Sequence, residues 1–293
     1  MCATCGCGDA KLVPVEVHEK ILAGNDRAAQ HNRQHFAEQG VLALNLMGSP
    51  GAGKTALLEA TARTVHGRWR LGAVSGDLAT DNDARRLEAA GIPSRAITTG
   101  QGCHLDAELV HHSLHDFPLQ ELDVFFIENV GNLVCPAIYD LGQAANVVAL
   151  SVTEGEDKPL KYPVMFKAAD LVLLTKCDLL PHLDVRVEVI LDGLRRVMPQ
   201  PEVIRISARS GLGMAEWSGW LEKRKAKVPR RTANSPTHSH DSSAPEHHAH
   251  EHSHGDGTVH SHAHEHEHAH EHEHPHEHAH HASGTGRGHR HEP

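Results

Sequence analysis

No apolar run in this 293-residue chain approaches the roughly 20 residues that a membrane-spanning helix needs, so no such helix is expected. The N-terminus has no basic stretch leading into an apolar one, and no secretory leader is expected. Positive charge is not in excess either. The formal net charge is -10, and from Arg230 onward ten acidic residues face four arginines. Binding to nucleic acid or to an anionic membrane is therefore not expected. Six cysteines, three of them within the first seven residues, do not make the framework of a secreted disulfide scaffold, and a reducing cytoplasm is the expected compartment. No second cysteine pair follows at zinc-finger spacing. The length suits one α/β domain with appendages and not two large enzymatic domains.

Composition divides what is present into four segments. Residues 1–9 form a Cys/Gly peptide too small to fold without a ligand. Residues 10–40 have a polar periodicity that predicts one or two helices, with Gly24-Asn25 the candidate break. Over residues 41–227 apolar runs alternate with helical patterns, which predicts βαβ units on a mostly parallel sheet flanked by helices. The expected strands are 41–47, 71–76, 95–99, 123–129, 147–153, 171–176 and 202–207, with helices over 55–65, 81–91 and 184–197. Residues 228–293 are Ser, Pro, Ala, Glu and His with almost no large apolar residue. Such a tail cannot bury enough surface to offset its ordering entropy, and disorder is expected.

The strand 41–47 runs into GSPGAGKT, a match to G-x-x-x-x-G-K-[ST] with a helix after it. That context is the one in which the motif binds polyphosphate. Gly48, Ser49, Pro50, Gly51, Ala52 and Gly53 wrap the phosphates, with Ala56 just beyond them. Lys54 reaches the β- and γ-phosphates, and the Thr55 hydroxyl reaches Mg²⁺. Ligands of open parallel sheets lie beyond the carboxyl ends of the strands. Asp77 and Glu128 follow two such ends, and either carboxylate can meet the Mg²⁺ or cap a helix. Glu128-Asn129-Val130-Gly131 resembles the Asp-x-x-Gly switch of GTPases, in which the glycine N–H senses the γ-phosphate. Thr175-Lys176-Cys177-Asp178 is a variant of the guanine-reading Asn-Lys-x-Asp. The Asp178 carboxylate can accept from guanine N1–H and N2–H₂, donors that adenine lacks, a difference of about 1 to 3 kcal/mol. Thr175 in place of Asn is expected to weaken loop bracing more than base reading. Ser207-Ala208 follows the last strand, where the Ala208 N–H can meet guanine O6.

Three constellations carry metal chemistry. Cys2, Cys5 and Cys7 form C-x-x-C-x-C, a tight thiolate chelate for a soft or borderline metal, or else a redox pair. Cys103, His104 and Cys135 follow strand ends on the nucleotide face. They offer three ligands with one position open, although a cysteine isolated in sequence is equally well a small buried hydrophobe. The tail from His238 to His291 holds 21 of the 30 histidines, largely neutral near pH 7 and suited to Ni²⁺, Zn²⁺, Cu²⁺ or Co²⁺. A solvating or pH-responsive tail is the other reading.

Read in order, CATCGC, NLMGSPGAGKT, GDLATDND, GQGCHLD, FFIENVGNLVCP, EGEDKPLKYPVMF and TKCD resemble the hydrogenase nickel-incorporation GTPases, the HypB family. The resemblance runs from Met1 to about Lys225. It implies a slow, regulatory GTPase, cycling between GTP and GDP, that helps insert nickel into the large subunit of [NiFe]-hydrogenase. It further implies nickel at Cys2, Cys5 and Cys7, a second Ni²⁺/Zn²⁺ site at Cys103, His104 and Cys135, and a GTP-favoured homodimer. A nickel/zinc partner of the HypA type is implied as well. The histidine-rich stretch departs from the family pattern by following the core, so its role as a store is by analogy. A nickel buffer, a urease-accessory-type GTPase and a small-molecule kinase are the alternative readings.

Overall fold

The computed structural model describes residues 15–100, 102–198, 200–229, 249–253 and 259–263. The C-x-x-C-x-C peptide and most of the histidine tail lie outside the described residues. The chain divides between Ser235 and Pro236 into two units.

The first unit contains α1 (Val15–Glu38), β1 (Leu42–Met47), α2 (Lys54–Val65), β2 (Leu71–Asp77), α3 (Asn82–Ala89), β3 (Ser94–Thr98) and α4 (Ala107–Leu114). It continues with β4 (Val124–Glu128), β5 (Ala145–Ser151), α5 (Lys158–Lys161), α6 (Pro163–Lys167), β6 (Leu171–Thr175), α7 (Val187–Val197), β7 (Val203–Arg205) and α8 (Met214–Lys225). All seven strands pair in parallel, in the order β3-β2-β4-β1-β5-β6-β7. The doubly covered sheet explains why its strands are legible as apolar runs. Along β1, Leu42, Leu44 and Leu46 pack with Leu57, Leu58 and Trp217, so α2, α3 and α8 cover one face. Ala43 turns to the other face beside Phe36 of α1 and Val110 of α4, and Met47 sits with Phe166 and Ile190 of α6 and α7.

The α1 segment is one helix, without a break at Gly24-Asn25. Asn side chains weaken helices by bonding to their own backbone. Here Asn25 instead donates to Asp140 O at 2.8 Å and accepts from Ala107 N–H at 2.9 Å. Asn32, fully buried, donates to Ala107 O and Leu141 O. These bonds lock α1 against the start of α4, making it a layer of the core and not a separate leader.

In the second unit β8 (Ala249–Ser253) and β9 (Val259–Ala263) form an antiparallel ribbon. Composition alone predicts no regular structure there. The His alternation has the strand period of two, but a lone two-stranded ribbon is marginally stable in water.

Candidate functional site

Because β1 is central, with β4 and β5 beside it, the loops after these strands meet at one sheet edge. Gly48 is at φ 150, and a Cβ there would lie 2.4 Å from Ala149 O, so only glycine lets the loop leave β1. Gly51 and Gly53 also have positive φ, at 75 and 90. α2 then starts at Lys54 with no side-chain cap and no acid in its first turn. Its first N–H groups and its dipole are left for an anion. The Lys54 ammonium is buried and donates to Gly48 O and Ser49 O, each at 3.3 Å. Burial lowers its pKa, while Glu128 and Asp83 oppose that shift.

A cavity of about 350 Å³ opens beside this loop, lined by Lys54, Thr55, Asp77, Asp83, Glu128 and Gly131 among others. Thr55 Oγ1 lies 2.7 Å from Glu128 Oε1 and 2.8 Å from Asp83 Oδ1. Burial pushes the Glu128 carboxyl up to about 7, against the Thr55 hydrogen bond and the Lys54 charge. One hydroxyl proton together with the protonated form of the Glu128 carboxyl can satisfy these contacts. Asp77 lines the same cavity, but its Oδ1 accepts from the N–H groups of Ala79 and Thr80, which lowers its pKa. The carboxylate that sequence reasoning missed is Asp83, in the first turn of α3, where an acid reads as a partner for the helix dipole. The oxygen set of Thr55, Asp83 and Glu128 fits a hard divalent ion such as Mg²⁺.

A second cavity, about 340 Å³, shares Gly53 and Ala56 with the first and is lined by Thr175, Lys176, Asp178, Ala208 and Arg209. Ser207 Oγ donates to Asp178 Oδ1 at 2.6 Å and accepts from the N–H groups of Arg209 and Ser210. The two loops thus hold each other, with the Asp178 carboxylate in the cavity wall. Thr175 keeps one brace on the phosphate loop: its hydroxyl donates to Ala52 O at 2.6 Å. A shorter side chain reaches because β6 ends directly behind that loop.

Cys103, His104 and Cys135, 32 residues apart at the cysteines, come together. The sulfurs are 2.9 Å apart as thiols, Cys103 Sγ is 3.7 Å from His104 Nδ1, and all three ligand atoms lie within 4.8 Å of one another. The His104 ring stacks on Tyr139 at 4.0 Å, and burial lowers its pKa, which keeps the imidazole neutral for metal.

One contact ties this cluster to the end of the sheet and a second ties it to the phosphate loop. Asn129, 1% exposed, accepts from Leu105 N–H, two residues from Cys103, and donates to Asn45 Oδ1. Gly131 lies so close to Pro50 that a Cβ would meet the proline ring and backbone at 2.8 to 2.9 Å. Asn132 bridges to Gly48, its N–H donating to Gly48 O at 3.2 Å. Cys135 follows three residues later. Asn129 was not singled out from sequence, its only signal being its place after Glu128.

Comparison with known proteins places these features in context. The CobW/HypB/UreG nucleotide-binding domain matches residues 42–205. The hydrogenase maturation factor HypB of Azotobacter vinelandii is 53% identical over 220 residues, covering 75% of this chain and 72% of that one. Its Escherichia coli K12 counterpart is 48% identical, with 75% of each chain covered. Among solved structures, HypB from Helicobacter pylori in complex with nickel is similar at TM-score 0.67 and 36% identity, covering 72% of this chain and 99% of that one. The hydrogenase maturation factor HypB from Archaeoglobus fulgidus is similar at TM-score 0.65 and 38% identity, covering 70% and 100%.

Proposed function

The chain belongs to the CobW/HypB/UreG nucleotide-binding family, among the hydrogenase maturation factors named HypB, and from that premise we propose that it is a GTP-hydrolysing nickel chaperone for [NiFe]-hydrogenase. Asp178 and the Ala208 N–H select guanine, while Gly48 to Ala56 and Lys54 hold the phosphates. Thr55, Asp83 and Glu128 would hold Mg²⁺, which when bound neutralises charge on the β- and γ-phosphates. Lys54 exchanges its two backbone carbonyls for phosphate oxygens, a switch favoured by its buried position. Turnover is slow because, among the described residues, no glutamine or arginine finger is evident to position water or stabilise the transition state.

The observation that carries the nickel half of this reading is the short path from phosphate to thiol. A γ-phosphate drawing in the Gly131 N–H moves a loop packed on Pro50 and ending at Cys135. Cys103, His104 and Cys135 leave one position open on a four-coordinate metal, which a second copy of the chain fills in a GTP-favoured dimer. Nickel is the cargo, released toward the hydrogenase large subunit when hydrolysis relaxes that loop.

The test uses the full chain with Cys2, Cys5 and Cys7 replaced by Ala, titrated with Ni²⁺ in the presence of GDP or of a non-hydrolysable GTP analogue. Imidazoles of the tail give no thiolate-to-metal charge-transfer band, so that band reports Cys103 and Cys135. The expected result is a nucleotide-dependent affinity, changed by about 5- to 150-fold as for typical coupled sites, that vanishes in Cys135→Ala. Equal affinities with both nucleotides would overturn the coupling.

A further inference from the structure

A group of histidines outside both sites sits where α1 packs on α4. His31 and His35 are four residues apart on α1, and His111 and His115 are four apart on α4 and its C-cap. Residues at this spacing share one helix face. The His31 and His111 rings meet edge-on with centroids 4.8 Å apart, and His111 and His115 lie 5.9 Å apart. The His112 ring is 6.0 Å from that of His111, but its Nε2 is 3.9 Å from Glu108 and it lies off the i,i+4 face. Each helix therefore presents an i,i+4 imidazole pair, and helix packing sets the pairs against each other.

One ring of the four is already oriented. Asn32 spends both amide hydrogens on Ala107 O and Leu141 O, so its Oδ1 faces His111 Nδ1 at 3.2 Å as an acceptor. That contact requires His111 to carry its proton on Nδ1, which leaves the Nε2 lone pair available. A ligating histidine normally has this support, with the other ring nitrogen donating to a fixed acceptor.

We propose that His31, His35, His111 and His115 form an additional binding site for a borderline first-row divalent cation such as Ni²⁺, Zn²⁺ or Cu²⁺. It is separate from the Cys103, His104 and Cys135 cluster and has an all-imidazole donor set. The affinity order favours Cu²⁺ over Ni²⁺ at such nitrogen ligands. The rings are not collapsed into a finished coordination shell; the three-ligand group with atoms within 4.8 Å among the described residues is the cysteine one. Partly exposed rings reach common coordination by rotamer changes on a picosecond-to-nanosecond scale. Burial, with the neighbouring imidazoles adding to it, lowers the pKa of His111, and burial likewise lowers that of His35 against Glu38. Both rings are thus neutral donors near pH 7. The site stands independently of the nucleotide reading.

The tail and the N-terminal thiols also take metal, so the readout must be local. Full-chain protein is treated with diethyl pyrocarbonate at fixed free Ni²⁺ or Zn²⁺, held by a nitrilotriacetate buffer, and carbethoxylation of each histidine is measured by peptide mass spectrometry. At free metal about tenfold above Kd, mass action leaves about one site in eleven empty, so modification of these histidines should slow roughly tenfold. Replacing the two exposed members, His31→Ala with His115→Ala, should remove the protection at His35 and His111 without disturbing the core. Cys103→Ala with Cys135→Ala should leave the protection intact. Equal modification with and without metal would overturn the assignment, as would protection that disappears with the cysteine pair.

Discussion

Glu128→Gln tests the electrostatics of the phosphate cavity directly. Glu128 is 2% exposed, and its carboxyl titrates near 7 instead of its ordinary 4.5 because burial disfavours the anion. The folded protein therefore holds this proton more tightly than the unfolded chain does. The associated stability is complete below about pH 4.5 and is lost as pH rises through 7, with a maximum slope of about 1.4 kcal/mol per pH step. A displacement from 4.5 to about 7 corresponds to about 3 kcal/mol in total. Gln keeps the shape and a hydrogen-bonding amide toward Thr55 and Ser75 but cannot ionise. In protein free of nucleotide and divalent metal, the variant should match the parent near pH 4.5 and exceed its stability by about 3 kcal/mol at pH 8. Urea unfolding at intervals from pH 4.5 to 8 measures this, and the difference between the two proteins cancels the other titrating groups. The same variant should lose Mg²⁺-dependent nucleotide binding, a gain in fold stability at the expense of the site. Parallel stability curves would refute the reasoning, since they would mean that Glu128 ionises as freely in the fold as outside it.

Lys54→Ala should abolish GTP turnover while Cys2, Cys5 and Cys7 still load metal; a phosphate-release assay that finds undiminished hydrolysis would remove the phosphate role of the loop. Asp178→Asn should shift preference from GTP toward xanthosine triphosphate, because an amide NH₂ suits the xanthine carbonyl, and competition binding with the two nucleotides reads the shift. Cys2→Ala with Cys5→Ala should remove about one tight nickel per chain, measured by calorimetry, while the histidine tail continues to take weaker equivalents. Gly131→Ala should cost about 1 to 3 kcal/mol by thermal unfolding, because its Cβ meets Pro50 at 2.8 to 2.9 Å, and should blunt the nucleotide dependence of nickel affinity.

What the sequence made legible was whatever depends on local order. Buried parallel strands are continuous apolar runs, and the glycine positions of the phosphate loop are fixed by backbone geometry, so all seven strands and the loop could be placed by inspection. Three features depend on tertiary packing and could not. Asp77 and Asp83 are both plausible acids in DLATDND, and only the fold turns Asp77 onto its own backbone N–H groups and Asp83 toward Thr55. Asn25 signals a helix break in isolation, yet its amide is consumed by Asp140 and Ala107, more than 80 residues away. The imidazole pairs of α1 and α4 are unremarkable on either helix alone. Asn32 and His111 are 79 residues apart, and no local pattern announces that they meet.

The connections at the end of β4 determine what a nucleotide can change. Glu128, Asn129 and Gly131 face three different neighbours: Thr55 in the phosphate cavity, Leu105 in the Cys103-His104 loop, and Pro50 in the phosphate loop itself. The contact of Asn129 with Leu105 is buried and backbone-directed, so it fixes Cys103 and His104 relative to the sheet. Asn132 and Gly131 instead join Cys135 to the loop that would carry the phosphates. One thiol is therefore anchored to the end of the sheet and the other to the phosphate loop. On the proposed reading, a displacement of the second relative to the first alters the Cys103–Cys135 separation without disturbing either helix. Equilibrium linkage makes such a device reciprocal: metal bridging the two sulfurs must change nucleotide affinity by the factor that nucleotide changes metal affinity. On that reading the chain holds its cargo in one nucleotide state and loosens it in the other through the movement of one five-residue segment, Gly131 to Cys135.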